Sequence, residues 1–214
     1  ADAIVRACDE ILEGKLHEAF IVDPIQGGAG TSLNMNANEV IANRAIELRG
    51  GEKGDYTLVN PNDHVNCGQS TNDVFPSAGK MAVLKLLIKA QIQLERLYKA
   101  LVAKAEEFDD VIKMGRTQLQ DAIRRDIARL ERAQDEMRCL NMGGTAIGTG
   151  INADEVYLRR IVPNLSKISG LRLIQAFDLI DATQNLDSFV AVSGAVKTCA
   201  VNLSKMCNDL RLLS

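Results

Sequence analysis

From Leu186 to Ser214 the chain repeats its apolar residues at the interval of a long, packed helix. Phe189, Val196, Leu203 and Leu210 recur every seven positions, and Val192, Cys199, Met206 and Leu213 follow in phase three places later, the a and d positions of a helical seam. Ser193, Ala200, Cys207 and Ser214 add a stripe of small side chains along which a neighbouring helix can approach closely. Only Asp187, Lys197, Lys205, Asp209 and Arg211 carry charge across the segment. A helix this long and this poor in charge has to be covered on several faces, so the expectation is a helix inside a bundle, at a subunit interface.

Other stretches repeat the helical signal, and no pattern suggests a substantial sheet. Ile4, Val5, Cys8, Ile11 and Leu12 give a short helix within residues 2–18, with Gly14 as its stop. A glycine-rich turn, residues 23–32, feeds a second helix over residues 33–45. A long helix is expected from Lys80 to about Phe108, with Leu84, Leu87, Leu94, Leu97, Leu101 and Phe108 on one stripe. Further helices are expected from Ile123 to about Leu140 and from Asp154 to Ser169. The expected fold class is all-α.

The chemistry has to come from what remains. With no Trp, three Tyr and five Phe, stacking on bases is a poor prospect, and a net charge of −3 argues against nucleic-acid and anionic-membrane partners. No run of about 18 apolar residues is present to span a bilayer. The five cysteines are odd in number, widely spaced and free of any C-x-x-C pair, which fits reduced thiols in a cytoplasmic protein. His17 and His64 are the only histidines, too few for a His-rich metal site, and no Cys/His group has zinc spacing.

Residues 60–78 hold the densest polar run, from Asn62, Asp63 and His64 through Gln69, Ser70, Thr71, Asn72 and Asp73, before an apolar segment. Ser, Thr, Asn and Asp cap helices, and a helix N-terminus offers free N–H groups and partial positive charge. A carboxylate can therefore be held there without Lys or Arg. Taken alone, the run reads first as a capped loop with no ligand. The turn at Gly27–Gly30 lacks both the G-K-[ST] of a nucleotide loop and the G-x-G-x-x-G of a dinucleotide fold, so neither ATP nor NAD is indicated.

Four blocks in order change that balance: Gly27-Gly28-Ala29-Gly30-Thr31-Ser32 with Asn34-Met35-Asn36-x-Asn38-Glu39; Asn60-Pro61-Asn62-Asp63-His64-Val65-Asn66 with Gln69-Ser70-Thr71-Asn72-Asp73; Gly115-Arg116-Thr117-Gln118-Leu119-Gln120-Asp121-Ala122; and Gly143-Gly144-Thr145-Ala146-Ile147-Gly148-Thr149-Gly150-x-Asn152. Together they resemble the aspartase/fumarase superfamily over essentially the whole chain. The resemblance implies an all-α fold with a central bundle of long helices. Residues 1–68 would be the remainder of an N-terminal helical domain, and residues 69–214 part of the bundle. It also implies a homotetramer with active sites shared between subunits, a dicarboxylate substrate and no cofactor or metal.

By the same resemblance Thr31, Ser70, Thr71, Asn72, Thr117 and Gln118 bind the substrate carboxylates, with Asn62 and Asp63 at the edge of the site. The implied reaction is anti elimination of ammonia from L-aspartate to give fumarate. Fumarases similar to this chain place His where Gln118 stands, and a neutral amide suffices when ammonium is the leaving group, so Gln118 favours the ammonia-lyase branch. Fumarate hydration, and a non-catalytic structural role, remain the alternatives. Relative to the family, residues are expected to be absent before Ala1 and between Ala122 and Ile123. The loop carrying the general-base serine and a substrate-binding lysine is expected beyond Ser214.

Overall fold

The computed structural model describes residues 1–25, 28–112 and 119–213. Seven α-helices are formed among them: α1 (Asp2–Leu12), α2 (Thr31–Leu48), α3 (Thr71–Glu107), α4 (Leu119–Met137), α5 (Glu155–Ser169), α6 (Leu179–Gln184) and α7 (Asp187–Leu213). Two-residue strands β1 (Cys139–Leu140) and β2 (Ile174–Gln175) make one small ladder, so the all-α expectation holds. The chain divides into two compact units. One comprises Ala1–Ser77, Asn141–Asn164 and Gln175–Gln184; the other comprises Ala78–Leu140, Leu165–Ile174 and Asn185–Ser214.

In the second unit α4 packs on α7 and supplies Ile123, Ile127, Leu130 and Met137 to the core, while α3 contributes Leu84, Leu87 and Leu94. Of the heptad seam on α7, the d positions Val192, Cys199 and Met206 are buried, whereas Val196 and Leu210 at a are 48% and 50% exposed. The small stripe of Ser193, Ala200 and Cys207 is exposed as well. Within one chain, then, the helix is covered on one face. Asp126 of α4, fully buried, accepts two hydrogen bonds from Asn202 Nδ2 at 2.9 Å and pairs with Arg129, which fixes the register of α4 against α7. Phe108 departs from the expected stripe: it is exposed, with the Lys104 ammonium 5.3 Å from its ring centre. α4 runs unbroken through Ala122 and Ile123.

The first unit is built on α1 against α2. Ala7, Ala42 and Ala45 let the two helices approach closely around Ile46 and Val59, and Glu10 receives Arg44 at 2.5 and 3.0 Å across the pair. α3 begins at Thr71 rather than at Lys80, running through Pro76 and Gly79. A proline inside a helix leaves the carbonyl four residues earlier without its N–H. That carbonyl belongs to Asn72, and Asn141 Nδ2 donates to it at 2.9 Å. The partner lies far off in sequence, so the proline and glycine read locally as an end rather than as a helix interior.

The loop 141–152 turns on glycine. Gly148 has φ +86°, and a Cβ there would stand 2.4 Å from Ile180 Cα and 2.6 Å from Leu179 O, backbone atoms that cannot swing aside. Gly148→Ala adds a left-handed penalty to a backbone clash and is expected to destabilise the complete protein by roughly 3 kcal/mol or more. Urea unfolding measures this, and an unchanged midpoint would contradict the packing.

Candidate functional site

The polar run of residues 60–78 separates into two places in the first unit. Pro61–Val65 form a single π-helical turn, capped by Asn60 Oδ1, which accepts the N–H groups of Asn62 and Asp63 at 2.8 and 3.0 Å. Asn62 and Asp63 are both exposed. Asp63 lines a cleft of about 690 Å³ together with Asp2, Arg6, Arg49 and His64.

Ser70 and Thr71 line a different cleft, of about 430 Å³, with Asn66, Gln69, Thr145 and Asn152 among its other walls. No charged side chain lines it among the described residues. Hydroxyls and amides at the start of α3 face it, with Ala146, Ile151 and Ala153 of the glycine-rich loop completing the wall. Ser70 is the N-cap: its Oγ accepts the Asn72 N–H at 3.3 Å, while Asp73 Oδ1 accepts the Ser70 N–H at 2.9 Å, a reciprocal capping box. Asp73 does more than cap. Its side chain is fully buried, and Oδ2 accepts the N–H groups of Gly143 and Thr145 at 3.2 and 3.0 Å, which binds the glycine-rich loop to the first turn of α3. Burial pushes its carboxyl above the usual range, against the pull of these backbone bonds. Thr145 is thereby held at φ 57°, a conformation that costs a β-branched residue energy.

The remaining expected donors are placed as follows. Asn72 is exposed and gives its Nδ2 to Ala146 O at 2.7 Å, so its amide is engaged with the loop. Thr31 is the first residue of α2, exposed, behind a left-handed Gly30 whose Cβ would strike the Phe75 ring at 2.5 Å. Only Gly allows that close approach of α2 to α3, and Thr31 is thereby set near the opening turns of α3. Thr117 and Gln118 lie outside the described residues.

Sequence reasoning singled out Thr71 but not what holds it. Asn34 and Asn38, buried on one face of α2, both donate to Asn66 Oδ1, at 3.2 and 3.1 Å. Gln69 Nε2 adds a third donor to that oxygen at 3.4 Å. Asn34 Nδ2 also donates to Thr71 Oγ1 at 2.9 Å. The i, i+4 spacing of Asn34 and Asn38 was the available signal, because two amides on one helix face require polar partners when that face is buried. Tyr157 packs over Gly68, with its hydroxyl buried and its pKa pushed up to about 12, chiefly by burial.

Comparison with known proteins now bears on this geometry. A family model described as lyase matches residues 1–214. The chain is 53% identical to an aspartate ammonia-lyase of Bacillus subtilis (strain 168), over 99% of this chain and 48% of the relative. The chain belongs to the aspartase/fumarase superfamily of lyases. Among solved structures, a fumarate lyase:delta crystallin from Brucella melitensis bound to cobalt superposes with a TM-score of 0.95 at 49% identity, covering 100% of this chain and 50% of that one. A recombinant class II fumarase from Schistosoma mansoni superposes with a TM-score of 0.78 at 32% identity, covering 97% and 50%. The chain thus spans about half the length of the superfamily members it matches. The Bacillus alignment runs over 227 positions against 214 residues here, so some residues of that relative have no counterpart in this chain.

Proposed function

We propose that the complete protein is an aspartate ammonia-lyase, converting L-aspartate to fumarate and ammonia by anti elimination, and that the cleft at Ser70 and Thr71 holds a substrate carboxylate. The carrying observation is the lining of that cleft: hydroxyls and amides gathered at a helix start beside Ala146, Ile151 and Ala153, without a charged side chain among the described residues. Removing the Cβ proton of aspartate loads extra negative charge onto the adjacent carboxylate. Fixed neutral donors aimed at that charge lower the barrier without having to reorganise. Ser70 and Thr71 supply hydroxyls, and the opening turn of α3 supplies N–H groups and the helix dipole. In this reading Thr31, Asn72, Thr117 and Gln118 complete the carboxylate contacts, and Asn62 and Asp63 are given no part in this cleft. The proton-abstracting serine is assigned to sequence beyond Ser214.

The same proposal makes the protein a cytoplasmic homotetramer. Five unpaired cysteines support a reducing compartment. The exposed Val196 and Leu210 and the small-residue stripe of α7 support helix packing between copies. No described helix is long and apolar enough to cross a membrane, and no group of three His, Cys, Asp or Glu is placed to hold a metal among the described residues.

The likeness to a class II fumarase keeps one competing reaction in view. The test is the rate at which the complete protein forms fumarate from L-aspartate and from L-malate. Fumarate from L-aspartate with little from L-malate is the expected result; the reverse preference assigns a fumarase, and no turnover of either assigns a non-catalytic relative.

A further inference from the structure

The direction of every hydrogen bond in the amide network behind Thr71 is set from one end. Asn66 Nδ2 donates to the backbone carbonyl of Gln69 at 3.4 Å, and a carbonyl can only accept. Asn66 must therefore turn its amide oxygen the other way, where Asn34, Asn38 and Gln69 donate to it. Asn34 in turn presents its NH2 group, one hydrogen to Asn66 Oδ1 and the other to Thr71 Oγ1. Thr71 Oγ1 is consequently an acceptor toward the protein. A hydroxyl has a single proton, and with its inner side occupied by an N–H that proton is left for whatever lies on the other side. Thr71 lines the cleft, and no protein acceptor takes its proton among the described residues.

We infer that Asn34 is a positioning residue which, by donating to the inner side of the Thr71 hydroxyl, leaves its single proton to be donated into the cleft, where an oxyanion, here the substrate carboxylate, accepts it. This rests on the assignment of the cleft as a carboxylate site. Asn34 is buried and does not itself line the cleft; it bonds two residues that do, Asn66 and Thr71, and the effect inferred here runs through Thr71.

The substitution that reverses the device without changing its size is Asn34→Asp. A carboxylate there accepts the Thr71 proton and turns it away from the cleft. The test is a double-mutant cycle in the complete protein with L-aspartate, combining Asn34→Asp with Thr71→Ala. Asn34→Asp alone is expected to lower kcat/KM by about tenfold or more, whereas in the Thr71→Ala background it costs less than about twofold, because its target is gone. Equal losses in both backgrounds, or wild-type kcat/KM for Asn34→Asp alone, overturn the inference while leaving the cleft assignment standing. Wild-type activity of Thr71→Ala alone overturns the cleft assignment, and the inference with it. If Asn34→Asp does not fold, Asn34→Leu enters the same cycle: it deletes the donor and still leaves Asn66 Oδ1 its bonds from Asn38 and Gln69. The same non-additivity is expected. Failure of both variants to fold marks Asn34 as purely structural and overturns the inference.

Discussion

Thr71→Ala in the complete protein is expected to lower kcat/KM for L-aspartate by about a hundredfold to a thousandfold, the usual cost of removing one donor from a developing oxyanion. Three observations support an effect of that size. The hydroxyl stands at the mouth of α3, where the helix dipole already favours negative charge. Its orientation is fixed by Asn34, so the donor is organised before substrate arrives. And no charged side chain among the described residues is available in the cleft to take over the contact. The fall should appear in kcat as well as in KM, because the charge on the carboxylate grows as the Cβ proton leaves. Steady-state kinetics on a variant with unchanged oligomeric state makes the measurement. A KM increase with kcat intact would mean that Thr71 merely binds the ground state.

Asp73→Ala is expected to destabilise the complete protein by roughly 3 kcal/mol or more. The carboxylate is fully buried and accepts the N–H groups of Ser70, Gly143 and Thr145; its removal leaves all three without a partner. Each buried orphan costs about 1–3 kcal/mol. Releasing Thr145 from its left-handed backbone returns part of that cost, and it also frees the loop that carries Ala146, the acceptor for Asn72. Asp73→Asn keeps the size of the side chain and one acceptor oxygen, which can serve Gly143 and Thr145 while its NH2 group opposes the Ser70 N–H, so it should rescue only part of the loss. Urea unfolding of the complete protein decides the point: a loss below about 1 kcal/mol would show that water replaces the carboxylate and that the loop is held by other means.

Asp73 also illustrates where reading the sequence stops. A Ser-x-x-Asp ahead of an apolar run announces a helix start, and Ser70 with Asp73 forms one. Nothing local in that motif says that the second carboxylate oxygen meets a loop some seventy residues on. The same limit explains α3. Its apolar stripe from Leu84 onward was legible, but the turns containing Pro76 and Gly79 violate helix propensity, and only Asn141, remote in sequence, supplies the hydrogen bond that the proline cannot. In α7 the heptads identified the helix and its buried edge. Which of the two seam positions the chain itself covers depends on α4, and that choice falls to Val192, Cys199 and Met206. At the candidate site, the polar character of Ser70 and Thr71 and their place at a helix start were legible from residue type and position. The amides of Asn34, Asn38 and Asn66 were present in the sequence, but their direction is a property of a network closed only in three dimensions.

Whether neutral groups at the start of α3 grip a dicarboxylate is read most directly from a crystal structure of the complete protein with succinate, a dicarboxylate that has no amine to lose. A carboxylate oxygen is expected within about 3 Å of Thr71 Oγ1, in the cleft lined by Ser70 and Thr145. Succinate bound instead beside Arg6, Arg49 and Asp63, with the Thr71 cleft holding none, would contradict it.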